Sequence, residues 1–360
     1  MRDTSGILDK RIPELDGLRG LAALLVLIAH YFGYVAHGTK ALAFDWLGVD
    51  LFFVLSGFLI GSIILANHTQ PNFFLSFYLR RAARIVPVYG LVCGATLALA
   101  AVLGGHAWSD HPFSPGVYAA FVSNMVVGLR GGGGEWLSPT CSLAVEEQFY
   151  LLLPLLIVWM PKRWLDLLLV LLWLGATLFR AAVVGDHVVA AFVLLPARMD
   201  LLLGGVLIAR VRQEIDLSRY LPALRALPPA AMLICAGIYT NQRLFIVFSP
   251  ALVSIAGGAF ILGMVGGAPD GALLRAPLLR FVGRISYALY LVHQPVAGVL
   301  HGLILDARPD IRGIAPLTVT LISIAVSIGL ATASWRWIER PILDYARAYR
   351  AGLAAAIAGS

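Results

Sequence analysis

The sequence predicts an all-α integral membrane protein, a bundle of about ten transmembrane helices with both termini in the cytoplasm. The first observation is composition, because 59% of the 360 residues are hydrophobic and only 13% are charged. A soluble domain is typically about 25% charged, so this chain lacks the polar surface that soluble domains of its length need. The second observation is the spacing of the apolar runs, and the third is the placement of the basic residues.

Ten apolar segments are long enough to be spans, since a helix that crosses a bilayer needs roughly 20 mostly apolar residues. The seventh is the shortest of them. In chain order they lie at about 15–34, 46–66, 85–104, 141–160, 164–182, 188–209, 228–241, 246–267, 284–303 and 315–337. We expect a single transmembrane domain over residues 1–345 and a short cytoplasmic tail over 346–360. The longest loop, about 105–140, contains GLRGGGGEWLSPT and is predicted to form an external lid or a re-entrant segment.

The basic residues at the ends of the spans set the predicted orientation. With a cytoplasmic N-terminus, 20 of the 27 Lys and Arg residues fall on the inner side, and Arg198 falls within a span. The remaining six fall on the outer side: Lys40, Arg130, Arg180, Arg243, Arg308 and Arg312. This bias follows the positive-inside rule. The net charge of +7 is therefore explained by topology and contact with the lipid bilayer, and no nucleic-acid partner is predicted.

The first span begins with charged residues and carries a histidine where a simple membrane anchor would be apolar: RIPELDGLRGLAALLVLIAHYF. Asp16 and Arg19 are neighbours at i, i+3 on one helix face. Arg19 and His30 are eleven residues apart, a rise of about 16 Å in three turns, so they share a face. Ionisable residues within spans usually face the bundle interior and mark function. Arg19 is thus predicted at the cytoplasmic mouth and His30 deeper, towards the outer half.

Further polar residues interrupt the apolar pattern of later spans. They lie in spans two, four, six and nine: Asp50, Ser56, Glu146, Glu147, Arg198, Asp200, Ser286, Tyr290 and His293. We expect them to line a polar interior, although sequence alone does not show that they converge. The alternative is structural. The charged residues would then form ion pairs between helices, and the hydroxyl groups and the histidine would form inter-helix hydrogen bonds.

A second basic cluster, FYLRRAARIVPVY, places Arg80, Arg81 and Arg84 at the entrance to span three. Arginine forks bind phosphate groups well, whereas the alternative is that these residues only anchor the helix at the membrane surface. An elongated donor with a phosphorylated head, such as an acyl-CoA, would lodge its head here and thread its reactive end towards His30. His30 would then be the general base for an acceptor hydroxyl.

Seven ordered motifs resemble the acyltransferase 3 family of bacterial membrane-bound acyltransferases: LDGLRGLAALLVLIAH, GVDLFFVLSGFLI, FYLRRAARIVPVY, SLAVEEQFYLLLPLL, RMDLLLGGVL, GRISYALYLVHQP and WRWIERPIL. The resemblance implies a ten-helix core in the bacterial cytoplasmic (inner) membrane. It also implies transfer of an acyl group, usually acetyl, from cytoplasmic acyl-CoA to a hydroxyl of a glycan, a lipid-linked sugar or a small molecule. No cofactor beyond this donor substrate is expected, and no His pair has the spacing of a metal site.

The family's functional motifs fall on named positions of this chain. The Arg-x10-His pair falls on Arg19 and His30, and the Arg-x-x-Arg pair falls on Arg81 and Arg84. The Glu-Glu-Gln-Phe-Tyr motif begins at Glu146. We therefore predict a catalytic group formed by Asp16, Arg19, His30, Glu146 and Glu147, and a donor site formed by Arg19, Arg80, Arg81 and Arg84. Whether His30 is a base or is itself transiently acylated stays open.

Two departures and two rival functions bear on this prediction. Some relatives carry a fused extracytoplasmic hydrolase-like domain of the SGNH type; this chain shows none, so we expect a stand-alone enzyme or one helped by a glycan-assembly partner protein. Cys141 stands where relatives commonly have tryptophan.

A secondary transporter of a small anionic substrate is the main rival function, but the two halves of the chain show no convincing repeat. A membrane scaffold would not need buried polar groups on so many spans.

Overall fold

The computed structural model describes residues 12–42, 44–267 and 269–346, and this part of the chain is helical with no β-strand beyond one isolated bridge. The predicted all-α fold is confirmed, because ten of its helical segments are long and apolar enough to cross a membrane. In chain order the helices are α1 (Pro13–Ile28), α2 (Asp45–Asn67), α3 (Phe73–Leu103), α4 (Pro115–Ala119), α5 (Ser123–Arg130), α6 (Thr140–Trp159), α7 (Lys162–Val183), α8 (Val188–Val193), α9 (Leu195–Glu214), α10 (Leu221–Ile238), α11 (Gln242–Val265), α12 (Pro277–Leu305) and α13 (Ile314–Ser334).

Helix α3 is longer than the sequence pattern predicts. It begins at Phe73 rather than near residue 85, so the three arginines lie inside the helix and not at its entrance. The pattern ended the span at these charges because charged residues usually mark the membrane boundary. In the structure Arg81 and Arg84 line a cavity inside the bundle, which explains how the helix continues past them.

Helix α10 also differs from the prediction, which put the seventh span at 228–241. The helix runs over Leu221–Ile238, preceded by a 3₁₀ turn at Leu217–Tyr220. Pro228 and Pro229 lie inside it. The prediction began the span at these prolines, but neighbouring helices and local adjustment allow proline within transmembrane helices.

The ten spans divide the loops between two ends of the bundle. Among the described residues, the outer face contains the connections 34–42, 104–139, 184–187, 239–241 and 306–313, and the inner face contains 68–72, 160–161, 215–216, 266–267 and 269–276. The names follow the predicted orientation. The longest outer connection carries the short helices α4 and α5, and we call residues 104–139 the lid.

Helices α1 and α12 pack backbone against backbone. A methyl group at Gly20 of α1 would overlap the Leu279 carbonyl of α12, and one at Gly283 of α12 would overlap the Asp16 carbonyl of α1. Glycine is needed where two backbones approach this closely. The close approach places the polar faces of both helices beside each other along the centre of the bundle.

Candidate active site

His30 lies on a local widening at the end of α1. The α-helix changes to a π-helical turn over Ala29–Gly33, a form that is rare and frequent at functional sites. Nδ1 of His30 is 3.0 Å from the Val26 carbonyl oxygen. A carbonyl only accepts, so Nδ1 carries the proton and donates, and Nε2 is left as the basic nitrogen of the ring.

Tyr31 fixes this turn to two other helices. Its hydroxyl donates to the backbone carbonyl of His293 on α12 at 3.0 Å and lies 3.0 Å from the Ser327 hydroxyl on α13. The Tyr31 side chain is buried. These bonds hold the histidine beside α12, where small displacements would matter for chemistry.

A second histidine faces His30. The ring centroids of His30 and His293 are 5.0 Å apart, and Tyr34 lies on the other side of His30 at 5.7 Å. His293 is 1% exposed. Its Nδ1 lies 2.8 Å from the Tyr290 carbonyl oxygen, so this ring too is held in one tautomer.

The two histidines lie in the wall of a cavity that opens towards the outer face, which we call the outer chamber. It has a volume of about 520 Å³. Aromatic, hydroxyl and amide groups contribute to its lining: His30, Tyr34, Trp136, Ser138, His293 and Gln294. Such a lining suits a ligand with both apolar faces and hydroxyl groups.

The lid forms one wall of the outer chamber and is attached to α12 by two tryptophans. Trp136 and Trp108 pack against Gly298 and Gly302, where any larger residue would overlap an indole ring. Nε1 of Trp108 also donates to Asp306 at 2.8 Å. The sequence predicted an external lid or a re-entrant segment here but not this attachment, because the glycines of α12 showed no partner in the sequence.

A smaller cavity of about 100 Å³, the inner chamber, lies below the histidines. It is lined by four of the predicted charged site residues, Arg19, Arg81, Arg84 and Glu146, and by hydroxyl groups that include those of Ser56 and Tyr150. In this chamber the carboxylate of Glu146 accepts two hydrogen bonds. The hydroxyls of Ser56 and Tyr150 donate to its two carboxylate oxygens at 2.8 and 3.1 Å.

Two other predicted site residues near Glu146, Arg81 and Glu147, differ in their contacts. Arg81 lies 5.9 Å from the Tyr150 ring centroid, near the distance of a cation–π contact. Glu147 interacts electrostatically with Arg81 but does not line the chamber. The Glu146 network therefore joins α2 and α6 and shapes the cavity beside the arginines.

Tyr290 and Ser142 separate the two chambers. Their hydroxyl oxygens are 2.7 Å apart, and both residues line the inner chamber. Cys141, the next residue to Ser142, and His293, one turn beyond Tyr290, line the outer chamber. The hydrogen bond between α6 and α12 therefore lies at the boundary between the cavities, and we call it the septum.

The inner chamber continues into a wider cavity of about 640 Å³ on the inner face, the vestibule. Arg19 and Arg84 line both cavities. Charged residues dominate the vestibule: Asp16, Arg19, Arg84, Arg284, Glu339 and Arg340. Ser286 also lines both cavities. Arg284 and Arg340 were not in the predicted donor site, because in the sequence they look like ordinary anchors at span ends.

Five predicted site residues line none of these cavities: Glu147, Arg80, Asp50, Arg198 and Asp200. Nε of Arg80 donates to the Ser76 carbonyl at 2.9 Å, and Arg80 lines none of the three cavities. Asp50 pairs with Arg198 at 3.0 Å. Asp200 pairs with Arg180 at 2.6 Å. These buried pairs connect α2, α7 and α9, which is the structural alternative that the sequence left open.

Arg180 is a buried charged residue that the sequence analysis did not place among the candidate site residues. It was assigned to the outer end of span five, but its side chain is fully buried. The missed signal was its position within an apolar helix, three residues before the helix ends at Val183. No cluster of three or more potential metal ligands occurs among the described residues.

Comparison with known proteins agrees with this architecture. A family model described as an acyltransferase domain matches residues 12–336. The O-acetyltransferase OatA of Staphylococcus aureus strain NCTC 8325 is 27% identical over 368 aligned positions, and the OatA of strain COL gives the same values. The alignments cover 92% of this chain and 57% of each relative, so the chain spans little more than half the length of these proteins. No solved structure matches.

Proposed function

The chain belongs to the acyltransferase family whose model covers residues 12–336, and on that premise we propose that it is a membrane-bound O-acyltransferase that uses acyl-CoA. The donor enters from the inner face, and the acceptor hydroxyl enters from the outer face. The transferred group is acetyl in the first instance, since the similar proteins carry the name O-acetyltransferase. The observation that carries this proposal is the position of His30, in the wall of the outer chamber next to the septum that separates it from an arginine-lined inner chamber.

The inner cavities suit the donor. Four arginines line the vestibule: Arg19, Arg84, Arg284 and Arg340. Arg81 lines the inner chamber above it, together with Arg19 and Arg84. Guanidinium groups bind phosphate oxygens with paired, charge-assisted hydrogen bonds. The phosphorylated head would occupy the vestibule, and its arm would extend through the inner chamber towards the septum. Asp16, which lies 3.6 Å from Arg19, orients that guanidinium.

The outer chamber suits the acceptor. A hydroxyl bound beside His30 would give its proton to Nε2 as its oxygen attacks the thioester carbonyl. The carbon–sulfur bond then breaks, and the thiolate of CoA takes the proton back from His30. The proton on Nδ1 stays there, hydrogen-bonded to the Val26 carbonyl oxygen, throughout, so Nε2 alone performs both transfers.

The carboxylate of Glu146 is a positioning group in this scheme. It holds the Ser56 and Tyr150 hydroxyls, and these three residues line the inner chamber together with its arginines. Buried polar groups that are fully hydrogen-bonded keep a cavity in one shape. Glu147 has the same role for Arg81.

The test is acetyl transfer in membranes that contain the full chain. Radiolabelled acetyl-CoA is added to membranes with wild type or His30→Ala, and lipid, polysaccharide and small-molecule fractions are separated. We expect label in one fraction for wild type and a loss of at least a hundredfold with the variant, a typical contribution of a general base.

His68→Ala is the matched control. His68 also has Nδ1 on the carbonyl four residues earlier, at 3.2 Å, but it follows α2 on the inner face, away from both chambers. It should retain wild-type activity. If His30→Ala is as active as His68→Ala at equal abundance, His30 has no catalytic role. If well-folded wild type transfers no label to any fraction, the proposed function is overturned.

A further inference from the structure

The buried Nε2 atom of His293 has no hydrogen-bond partner among the residues that the structure describes. The ring lines the outer chamber and is 1% exposed. Nδ1 donates to the Tyr290 carbonyl oxygen at 2.8 Å, so Nε2 carries a lone pair and can only accept. An unsatisfied buried acceptor is costly, and its position in a chamber wall indicates that a ligand satisfies it.

His301 on the same helix shows what a purely structural histidine looks like here. Its Nδ1 also bonds a backbone carbonyl, that of Ala297, at 3.0 Å. With Nδ1 as the donor, its Nε2 can accept a hydrogen bond from the Thr320 hydroxyl, 3.2 Å away. Both ring nitrogens are therefore satisfied within the protein. His301 is equally buried but does not line the outer chamber.

We propose that Nε2 of His293 binds a second hydroxyl of the acceptor, adjacent to the hydroxyl that His30 deprotonates. The preferred acceptor would then carry neighbouring hydroxyl groups, as a sugar ring does, and not an isolated alcohol. This inference rests on the proposed function, because it needs a hydroxyl acceptor in the outer chamber. It adds a binding residue whose role is separate from that of the catalytic base.

The geometry favours two hydroxyls over one shared between the rings. Both histidines have their protons on the Nδ1 side, directed to backbone carbonyls, so each offers a lone pair. A single hydroxyl proton bonds well to one lone pair only. With ring centroids 5.0 Å apart, two hydroxyls on adjacent carbons can each meet one histidine. An anionic ligand would be repelled by both lone pairs.

The chemistry of the chamber supports the same ligand class. Ser138 and Gln294, which are hydrogen-bonded to each other at 2.6 Å, lie in the same wall and offer further polar contacts. Trp136 and Tyr34 supply flat apolar faces. Flat apolar surfaces beside hydroxyl-binding groups match the two kinds of surface that a sugar ring presents.

The test compares two small competitors, cis-1,2-cyclohexanediol and cyclohexanol, in membranes that contain the full chain. Acetyl-CoA is saturating, and the readout is the competitor concentration that halves label incorporation into the native acceptor. For wild type we expect the diol to be about three- to tenfold more potent than the mono-alcohol, the effect of one net hydrogen bond. For His293→Phe we expect equal potency and a markedly slower transfer to the native acceptor.

Two further variants separate binding from folding. His293→Gln restores a side-chain acceptor and should recover part of the preference for the diol. His301→Phe removes a buried histidine of the same helix and should lower thermal stability while leaving the preference for the diol unchanged. Binding of labelled acetyl-CoA should be within twofold of wild type for His293→Phe, because the donor cavities lie below the septum.

The outcomes are distinct. Equal potency of the two competitors on active wild type, or a retained diol preference in His293→Phe, would overturn the inference and leave the proposed function intact. A complete absence of labelling by folded wild type would overturn the proposed function and the inference with it. A lost preference in His301→Phe as well would show that α12 packing, and not the Nε2 atom, sets the selectivity.

Discussion

Replacing Asp200 by Asn should strongly destabilise the bundle, although Asp200 lies away from the candidate site. Arg180 and Asp200 are fully buried, with Nη2 and Oδ2 2.6 Å apart. Arg180 also donates to the carbonyls of Val247 and Ala197 and to the Thr177 hydroxyl. Asn keeps the size of the side chain but removes its charge, so a buried guanidinium is left with neutral partners only.

The magnitude follows from this geometry. At 2.6 Å and an effective dielectric constant of about 20, the lost attraction is about 6 kcal/mol. The remaining neutral hydrogen bonds offset part of it. Removing one partner of a buried ion pair typically costs about 3–5 kcal/mol, and we expect the free energy of unfolding to fall by an amount in that range.

The same two helices provide the control. Arg210 of α9 donates to both oxygens of Asp166 of α7 at 2.8 and 2.7 Å, but the Asp166 side chain is 55% exposed. Asp166→Asn should cost at most about 1 kcal/mol. Unfolding would be titrated with sodium dodecyl sulfate in mixed micelles. The reasoning is refuted if Asp200→Asn is no more destabilising than Asp166→Asn, or if Arg180→Met combined with Asp200→Leu is worse than the single change.

Three further predictions concern the cavities and the outer loops. Gly298→Ala should displace Trp136, because the added methyl group would overlap its indole ring. Transfer to the acceptor should then slow by at least tenfold, while equilibrium binding of acetyl-CoA is unchanged. Arg84→Ala should weaken acetyl-CoA binding by roughly ten- to a hundredfold, the loss of one charge-assisted contact of about 1.5–3 kcal/mol, measured by equilibrium dialysis. Burial alone raises the pKa of Asp310, but hydrogen bonds from His37 and from two backbone N–H groups lower it below its ordinary value. That contact is kept above the lowered pKa and lost as pH falls through it, so limited proteolysis of the 306–313 loop should speed up in acid for wild type but not for Asp310→Asn.

The helices were predictable because each depends on its own local composition. All ten spans appear, and most of their boundaries agree within a few residues. The exceptions are α3, α10 and α12, where arginines or prolines lie within a helix. A hydropathy pattern treats both residue types as ends of spans. Whether a charged residue can lie inside a span depends on whether the neighbouring helices leave a polar cavity beside it. Whether a proline can lie there depends on whether those helices offer a hydrogen-bond partner for the backbone carbonyl that the proline leaves unbonded.

The site was predictable in part, for a different reason. Residues on one helix face, such as Arg19 and His30, are related by helical geometry alone. Contacts between helices depend on packing, which spacing does not encode. The partner of Arg198 is Asp50 of α2, a pairing that the spacing of the two residues along the chain does not specify. The unsatisfied Nε2 of His293 is likewise visible only once its surroundings are known.

The division of the cavities has a physical reason if donor and acceptor enter from opposite faces. An enzyme open to water on both sides of a membrane would leak ions and hydrolyse its thioester unless something closes the path. The septum between Ser142 and Tyr290 lies at the boundary of the two chambers. One hydrogen bond between neutral hydroxyls contributes only about 1 kcal/mol. It can therefore keep water out of the passage between the chambers when no donor is bound, and it can still break when a donor binds tightly. The Glu146 network is built from stronger, charge-assisted bonds because it holds the fixed wall of the inner chamber and does not need to open. Strong bonds thus lie where the cavity keeps its shape, and a weak one lies where the acyl group has to pass.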